Sequence, residues 1–153
     1  MQITSRFTIA VHLIACVECF KDTATVTSTF LAGSIGANPV IVRNVMSALK
    51  EAGILALSRG KRGMALARPL SSITFFDVYR AIGAVDAEGL FHFHEKANGA
   101  CPVGRNIRMA MEAPLQRVQD AMEDEMKKIS LEEVVARIRV ACAEHTAGDA
   151  AHL

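Results

Sequence analysis

The sequence predicts a mainly α fold with one short two-stranded hairpin, and three observations carry that prediction. Of the 153 residues, 51% are apolar but only 5% aromatic, with no Trp, which fits helices packed through Leu, Ile, Val, Met and Ala better than an aromatic-rich sandwich. Apolar residues recur at spacings of three and four along most of the chain, with capping residues between the runs. Two short apolar stretches, Ile54 to Leu57 and Met64 to Ala67, flank a turn of Arg59, Gly60, Lys61, Arg62 and Gly63. Such a hairpin, tipped with cations and placed directly after a pair of short helices, describes a winged helix-turn-helix with a two-stranded wing. A long C-terminal helix suited to dimerisation completes the predicted fold.

The elements follow in order. From Ile3 to Phe20 the positions Ile3, Phe7, Ala10, Val11, Ile14 and Val17 or Glu18 form one stripe at spacings of three and four, and Lys21-Asp22-Thr23 closes that helix. A second helix is expected from Ser28 to Ile35, with Thr27 or Ser28 as N-cap and Gly36 ending it in the left-handed conformation. Asn38-Pro39 then starts a third, because Asn caps and Pro at the first helical position loses no hydrogen bond. That helix, Pro39 to Ala52, turns Val42, Val45, Met46 and Leu49 inward and leaves Val40, Ile41, Arg43, Asn44, Ser47 and Lys50 outward or at its edges. Two helices joined by a tight Gly-containing turn occur both in DNA-binding proteins and in plain helical hairpins. The basic hairpin that follows favours DNA.

Thr74 and Asp77 form an approximate capping box for a fourth helix, whose Phe75, Phe76, Val78, Tyr79 and Ile82 face the core. Tyr79 reads either as a ligand contact or, in the favoured reading, as a packed ring with its hydroxyl at the surface. The chain is irregular from Gly83 to about Val103. From Gly104 to Lys128, Ile107, Met111, Leu115, Val118, Met122 and Met126 make a continuous apolar stripe that fits its own domain or a twin, and Pro114 bends or restarts the helix there. Ser130 and Glu133 then cap a last helix with Leu131, Val134, Val135 and Ile138 inward, and a frayed tail is expected from Ala147. The division is therefore a DNA-binding domain over 1–83, a sensor loop over 84–103 and a helical dimerisation region over 104–153.

Charge supports that division. The net charge is +1, yet residues 1–69 carry eight Lys or Arg against three acidic residues, and the remainder carries nine against thirteen. A basic front and an acidic back fit a DNA-facing module joined to one that does not face DNA. No apolar run approaches a membrane span and the start lacks the pattern of a signal peptide, so no membrane partner is expected and the expected compartment is the cytoplasm. There the four cysteines, Cys16, Cys19, Cys101 and Cys142, read as thiols and not as a disulfide framework.

Several segments carry a specific resemblance: Ser34-Ile35-Gly36-Ala37-Asn38-Pro39, the helix exit LKEAGIL, the wing SRGKRGMALARP, the run ITFFDVYRAI, and Cys101-Pro102-Val103-Gly104 before a long helix. Over essentially its whole length the chain resembles the Rrf-type (IscR-, NsrR- and CymR-like) family of bacterial winged-helix regulators. The resemblance implies a homodimeric transcriptional regulator, usually a repressor, on a pseudo-palindromic operator in double-stranded DNA. It puts the recognition helix at Pro39 to Ala52 and the wing arginine at Arg59.

An Arg on a hairpin tip can enter a narrow minor groove, with Lys61 and Arg62 on the flanking phosphates. Arg43 and Asn44 are candidate base readers, since Arg pairs with guanine and Asn with adenine. Asn38 and Val40 at the start of the recognition helix complete the DNA-facing set, and Ser5 and Arg6 at the first helix are expected on backbone phosphates. Cluster-binding relatives place three cysteines in the loop after the fourth helix, where this chain has Cys101 alone, and its wing lacks their second Gly and aromatic residue. Both departures match the clusterless branch, with no cofactor and no resident metal.

Signal sensing is assigned to Cys101, His92 and His94, with the inducer unknown. Cys101 at a helix start is either a redox thiol activated by the helix dipole or a structural cysteine, and the histidines are either loop residues or, with Cys101, ligands for zinc or copper. Cys16 and Cys19 form a C-x-x-C far from a helix N-terminus, which favours buried or boundary thiols over an oxidoreductase site. A small thiol or metal enzyme, or a winged helix that binds only protein, are the rival readings. The enzyme reading lacks an identifiable base, phosphate loop or close ligand set.

Overall fold

The computed structural model describes residues 5–58, 63–83 and 89–150, with side chains up to residue 144 in the last helix. α1 (Ser5–Phe20) is the hub, touching α2 (Ser28–Ile35), α3 (Pro39–Glu51), α4 (Phe75–Ala81), α6 (Leu131–Ala150) and strand β2 (Met64–Leu66). This setting corrects the single stripe expected of α1. Leu13, Ala15 and Cys16 are buried together with Phe7, Ala10, Ile14 and Val17, whereas Val11 is half-buried. A helix covered from several sides cannot keep a broad polar face, so period alone under-reads its core positions. Ile3 lies outside the described residues.

The turn between α2 and α3 follows from its caps. Thr27 Oγ1 accepts the Phe30 N–H at 3.2 Å, and Gly36, at φ 68°, closes α2 by donating its N–H to the Ala32 carbonyl at 3.0 Å. Asn38 Oδ1 accepts the Val40 N–H at 2.8 Å with Pro39 in the first turn, which fixes where α3 begins. α3 then buries Val42, Val45 and Leu49, each worth roughly 1.5–3 kcal/mol of burial. Met46, expected fully inward, is half-buried at the edge of the core.

β1 (Leu55–Leu57) pairs antiparallel with β2 in the register Leu55 to Leu66, Ala56 to Ala65 and Leu57 to Met64. Ile54, expected in the strand, is fully buried beneath it and accepts the Ala67 N–H at 2.9 Å. At the base of the wing Gly63 has φ 142°, and a Cβ there would lie 3.0 Å from the Val26 carbonyl oxygen. That oxygen accepts the Met64 N–H at 3.0 Å, so β2 is tied to the linker before α2. The wing tip, with Arg59, Lys61 and Arg62, lies outside the described residues.

After a single 3₁₀ turn (Leu70–Ser72), α4 begins with the expected capping box: Thr74 Oγ1 accepts the Asp77 N–H at 3.2 Å, and Asp77 Oδ2 accepts the Thr74 N–H at 2.8 Å. Val78, Tyr79 and Ile82 are buried, and Phe75 and Phe76 half-buried. The expectation for Tyr79 is corrected, since its hydroxyl is buried with no hydrogen-bond partner. The helix carries the ring under α5 (Pro102–Lys128) and leaves it 3% exposed.

α5 starts two residues before the expected Gly104 and runs through Pro114 as one helix. Pro114 costs one backbone bond, and Ala110, whose carbonyl loses that partner, is exposed to water. Phe75 donates its N–H to the Ile129 carbonyl at 2.9 Å and Leu131 to the Ile73 carbonyl at 2.8 Å, which pins the turn between α5 and α6 to the start of α4. Ser130 Oγ accepts the Glu133 N–H at 3.3 Å, but the Glu133 carboxylate pairs with Arg137 at 2.7 Å, so the expected S-x-x-E box is only half formed.

In α6, Leu131 and Val135 enter the core, Val134 is half-buried, and Ile138, expected inward, is 38% exposed. By that turn the helix has passed the core, and Ile138 borders an open groove with Phe7, Val11 and Phe75. α6 continues to Ala150, beyond the fraying expected from Ala147. Among the described residues no helix is long and apolar enough to cross a membrane.

Candidate nucleic-acid interface

α3 presents a mixed outer face because its inner face is sealed. With Val42, Val45 and Leu49 at 0% exposure, the helical rotation leaves Val40 53% and Ile41 40% exposed, and Arg43, Asn44, Ser47 and Lys50 on the surface. Ser47 Oγ donates to Glu51 at 3.2 Å. Asn38 is exposed but its carbonyl oxygen is engaged as the cap of α3, so its side chain positions the helix start. Ser5 and Arg6 are exposed in the first turn of α1, where Thr8 Oγ1 donates to the Ser5 carbonyl at 3.0 Å. Free N–H groups at a helix start and an adjacent cation together suit a phosphate.

Cys101 sits at the N-cap of α5, exposed, with Pro102 following. It makes no capping hydrogen bond, yet the backbone N–H groups of Gly104 and then Val103 bear on its sulfur and hold its pKa below the ordinary thiol value. The preceding turn is fixed by the Cys101 N–H to the Asn98 carbonyl at 3.1 Å and by Asn98 Oδ1 accepting the Ala100 N–H at 2.9 Å. His92 and His94 are exposed in an irregular stretch whose Phe93 lies under Arg108 of α5 at 5.2 Å. Gln119 of α5 holds the start of that stretch, accepting the Leu90 N–H at 2.9 Å.

Cys16 is buried with its sulfur 3.3 Å from Ser34 Oγ, which lies 3.4 Å from His12 Nε2, and Cys19 is half-buried. Cys16 is thus a buried thiol and Cys19 a boundary one, both in the body of a helix. The α5 stripe divides in two: Met122 and Met126 pack against the core of their own chain, while Val118 is 54% and Met111 39% exposed and Ile107 and Leu115 are half-buried.

The sequence profile of the Rrf2 family, described as an iron-dependent transcriptional regulator, matches residues 3–137. The chain belongs to the Rrf2 family. Among relatives of this Rrf2 protein, one from Bacillus subtilis (strain 168), named as an HTH-type transcriptional regulator, YwnA, is 37% identical over 134 residues, covering 88% of this chain and 97% of that one. A crystal structure described as a DNA-binding protein superimposes with a TM-score of 0.66 at 32% identity, covering 85% of this chain and 98% of the other. IscR of T. potens shares the fold, with a TM-score of 0.66 at 17% identity over 92% of this chain and 90% of its own. This Rrf2 protein is a DNA-binding transcriptional regulator with the winged-helix fold, and not an enzyme.

Iron belongs to the description of the Rrf2 family, but the donor set here does not fit it. Cys101 is the loop's single cysteine, and among the described residues no three His, Cys, Asp or Glu side chains gather as a metal-holding group. His92, His94 and Cys101 are therefore not brought together as ligands. Sequence reasoning missed the residues that tie the Rrf2 fold to its loop and last helix. Neither Gln119, which holds the Leu90 N–H, nor Glu18, which pairs with Arg139 of α6 at 3.2 Å, carries a local signal for that role. Partners so distant in sequence leave no periodic signal.

Proposed function

We propose that this Rrf2 protein is a cytoplasmic homodimeric repressor that reads a pseudo-palindromic operator and is released or retuned by a signal at its loop. The observation that carries the reading is the outer face of α3, where Val40, Arg43 and Asn44 stand exposed over a fully buried Val42, Val45 and Leu49. In this reading α3 enters the major groove, Arg43 and Asn44 read base edges, and Val40 makes apolar contact there. Asn38 sets the helix start, and Ser5 and Arg6 hold backbone phosphates. Arg59 enters the minor groove, and Lys61 and Arg62 hold the flanking phosphates.

One winged helix reads half a site, so the stretch of α5 through the half-buried Ile107 and Leu115 and the exposed Met111 and Val118 pairs with its symmetry mate and sets the half-site spacing. Met122 and Met126 brace α5 on its own domain. The signal enters at the loop that carries His92, His94 and Cys101, with the Cys101 thiolate favoured at the helix start.

Selection of genomic fragments with the purified reduced protein, followed by binding at several salt concentrations with and without an oxidant, tests this. A symmetric site should be enriched, affinity should fall with salt, and Arg59→Ala should lose about tenfold or more. Failure to enrich a site in either redox state overturns the reading.

A further inference from the structure

Tyr79 is a buried polar group that neither the core nor DNA reading accounts for. Its ring is 3% exposed and stacks on Phe76 with centroids 6.4 Å apart, yet its hydroxyl has no hydrogen-bond partner. Burying a hydroxyl without a partner costs about 1–3 kcal/mol, so such a group calls for an explanation. Burial, reinforced by the negative charge of Glu123, pushes its pKa up, and the phenol stays protonated as an O–H donor in want of an acceptor.

The residue borders a cleft of about 290 Å³ between α4 and α5, lined by Phe76, Tyr79, Arg80 and Glu123. Its chemistry is sharply divided. Arg80 lies over the Phe76 ring at 5.8 Å, and Lys127, itself paired with Asp124 at 2.8 Å, over the same ring at 4.9 Å, so Arg80 is the cation that lines the cleft. Glu123 supplies negative charge from α5, its carboxylate accepting from Gln119 Nε2 at 3.0 Å. Among the ion pairs of the described residues none joins Arg80 to Glu123. A cation, an anion and an aromatic face thus line one small opening without satisfying one another, and Tyr79, which borders it, keeps its hydroxyl buried and without an acceptor.

We propose that this cleft binds a small zwitterion of the free α-amino acid class. Its carboxylate meets Arg80 and takes the Tyr79 hydroxyl proton as a hydrogen bond, its ammonium meets Glu123, and its side chain lies along Phe76. A bidentate Arg contact and a buried hydroxyl select the carboxylate, and Glu123 selects the amine over a simple acid. Because the hydroxyl is buried, seating the ligand shifts the Tyr79 ring to bring its oxygen to the acceptor.

The site also has a route to the loop. Gln119, which donates to Glu123, accepts the Leu90 N–H through its other amide atom. An ammonium on Glu123 competes with Gln119 for that carboxylate. Occupancy therefore bears on the same side chain that anchors the start of the loop carrying His92, His94 and Cys101.

Calorimetric titration of the full chain with the common L-amino acids, singly, tests the site without DNA, so its outcome is independent of the operator reading. Acetate and methylamine serve as half-ligand controls. At least one amino acid should bind saturably, while acetate and methylamine each bind at least about tenfold more weakly. Tyr79→Phe removes only the orphan oxygen and should fold at least as stably as the parent, yet lose about tenfold in affinity, as should Glu123→Gln. Absence of binding across the whole set, binding unchanged by Tyr79→Phe in a folded protein, or equal affinity for acetate overturns the proposal.

Discussion

The carbonyl oxygen of Asn98 lies so close over Gly104 that a Cβ on the glycine would come within 2.5 Å of it. The same carbonyl accepts the Cys101 N–H, so one backbone atom sets both the loop turn and the start of α5. Gly104→Ala should displace that turn and destabilise the protein by about 1–3 kcal/mol, read from urea unfolding midpoints. A wild-type midpoint with unchanged Cys101 reactivity would show that the turn yields freely.

Cys101 is exposed and its pKa is lowered by the Gly104 and Val103 N–H groups, whereas Cys16 is 4% exposed. A depressed thiol pKa means a larger thiolate fraction at neutral pH. Iodoacetamide should therefore modify Cys101 well before Cys16, by peptide mapping over time. Cys101→Ser should abolish any oxidant-dependent change in operator affinity; a variant that answers oxidant as the parent does sinks the switch.

Asp77 links acid stability to the fourth helix. Burial works to raise its pKa, but the Thr74 backbone N–H and hydroxyl, with Arg68 at 3.4 Å, outweigh burial and hold it below the ordinary carboxylate value. A folded pKa below the unfolded one gives stability that is present above the unfolded pKa, near 3.8, and is lost as pH falls through the folded pKa. Asp77→Asn should cost about 1 kcal/mol at pH 7 and flatten the stability profile below pH 4, measured by urea unfolding across that window.

Asn38 and Arg43 should separate on two axes. Asn38→Ala removes the cap that accepts the Val40 N–H and should cost about 1 kcal/mol of stability. Arg43→Ala or Asn44→Ala removes an exposed side chain and should leave the melting temperature near wild type while weakening operator binding about tenfold. Equal stability losses at all three positions would contradict this division.

Glu18→Ala breaks the contacts to Lys21 and Arg139 that join the first helix to the last. Because Arg139 is 59% exposed, the loss should be small, about 0.5 kcal/mol, and should shrink at high salt. Melting curves at two ionic strengths read both effects.

Local chemistry determined much of this protein from sequence. Thr27, Gly36, Asn38-Pro39 and the Thr74 and Asp77 pair each bond within four residues of themselves, so caps and helix limits were readable, as were the inward Val42, Val45 and Leu49 with their helical period. The winged-helix fold and its α3 face follow from that local set. Tertiary structure decided what depends on distant partners: Leu13 and Cys16 buried because α1 is covered from several sides, Ile138 left at the surface because α6 has run past the core, and Met122 and Met126 folded back on their own chain. It also decided that the Tyr79 hydroxyl is buried without a partner, and that Gln119 holds a loop amide 29 residues away. Periodicity reports which side of a helix is apolar, but only packing decides how many sides are covered and which polar atoms are left without water.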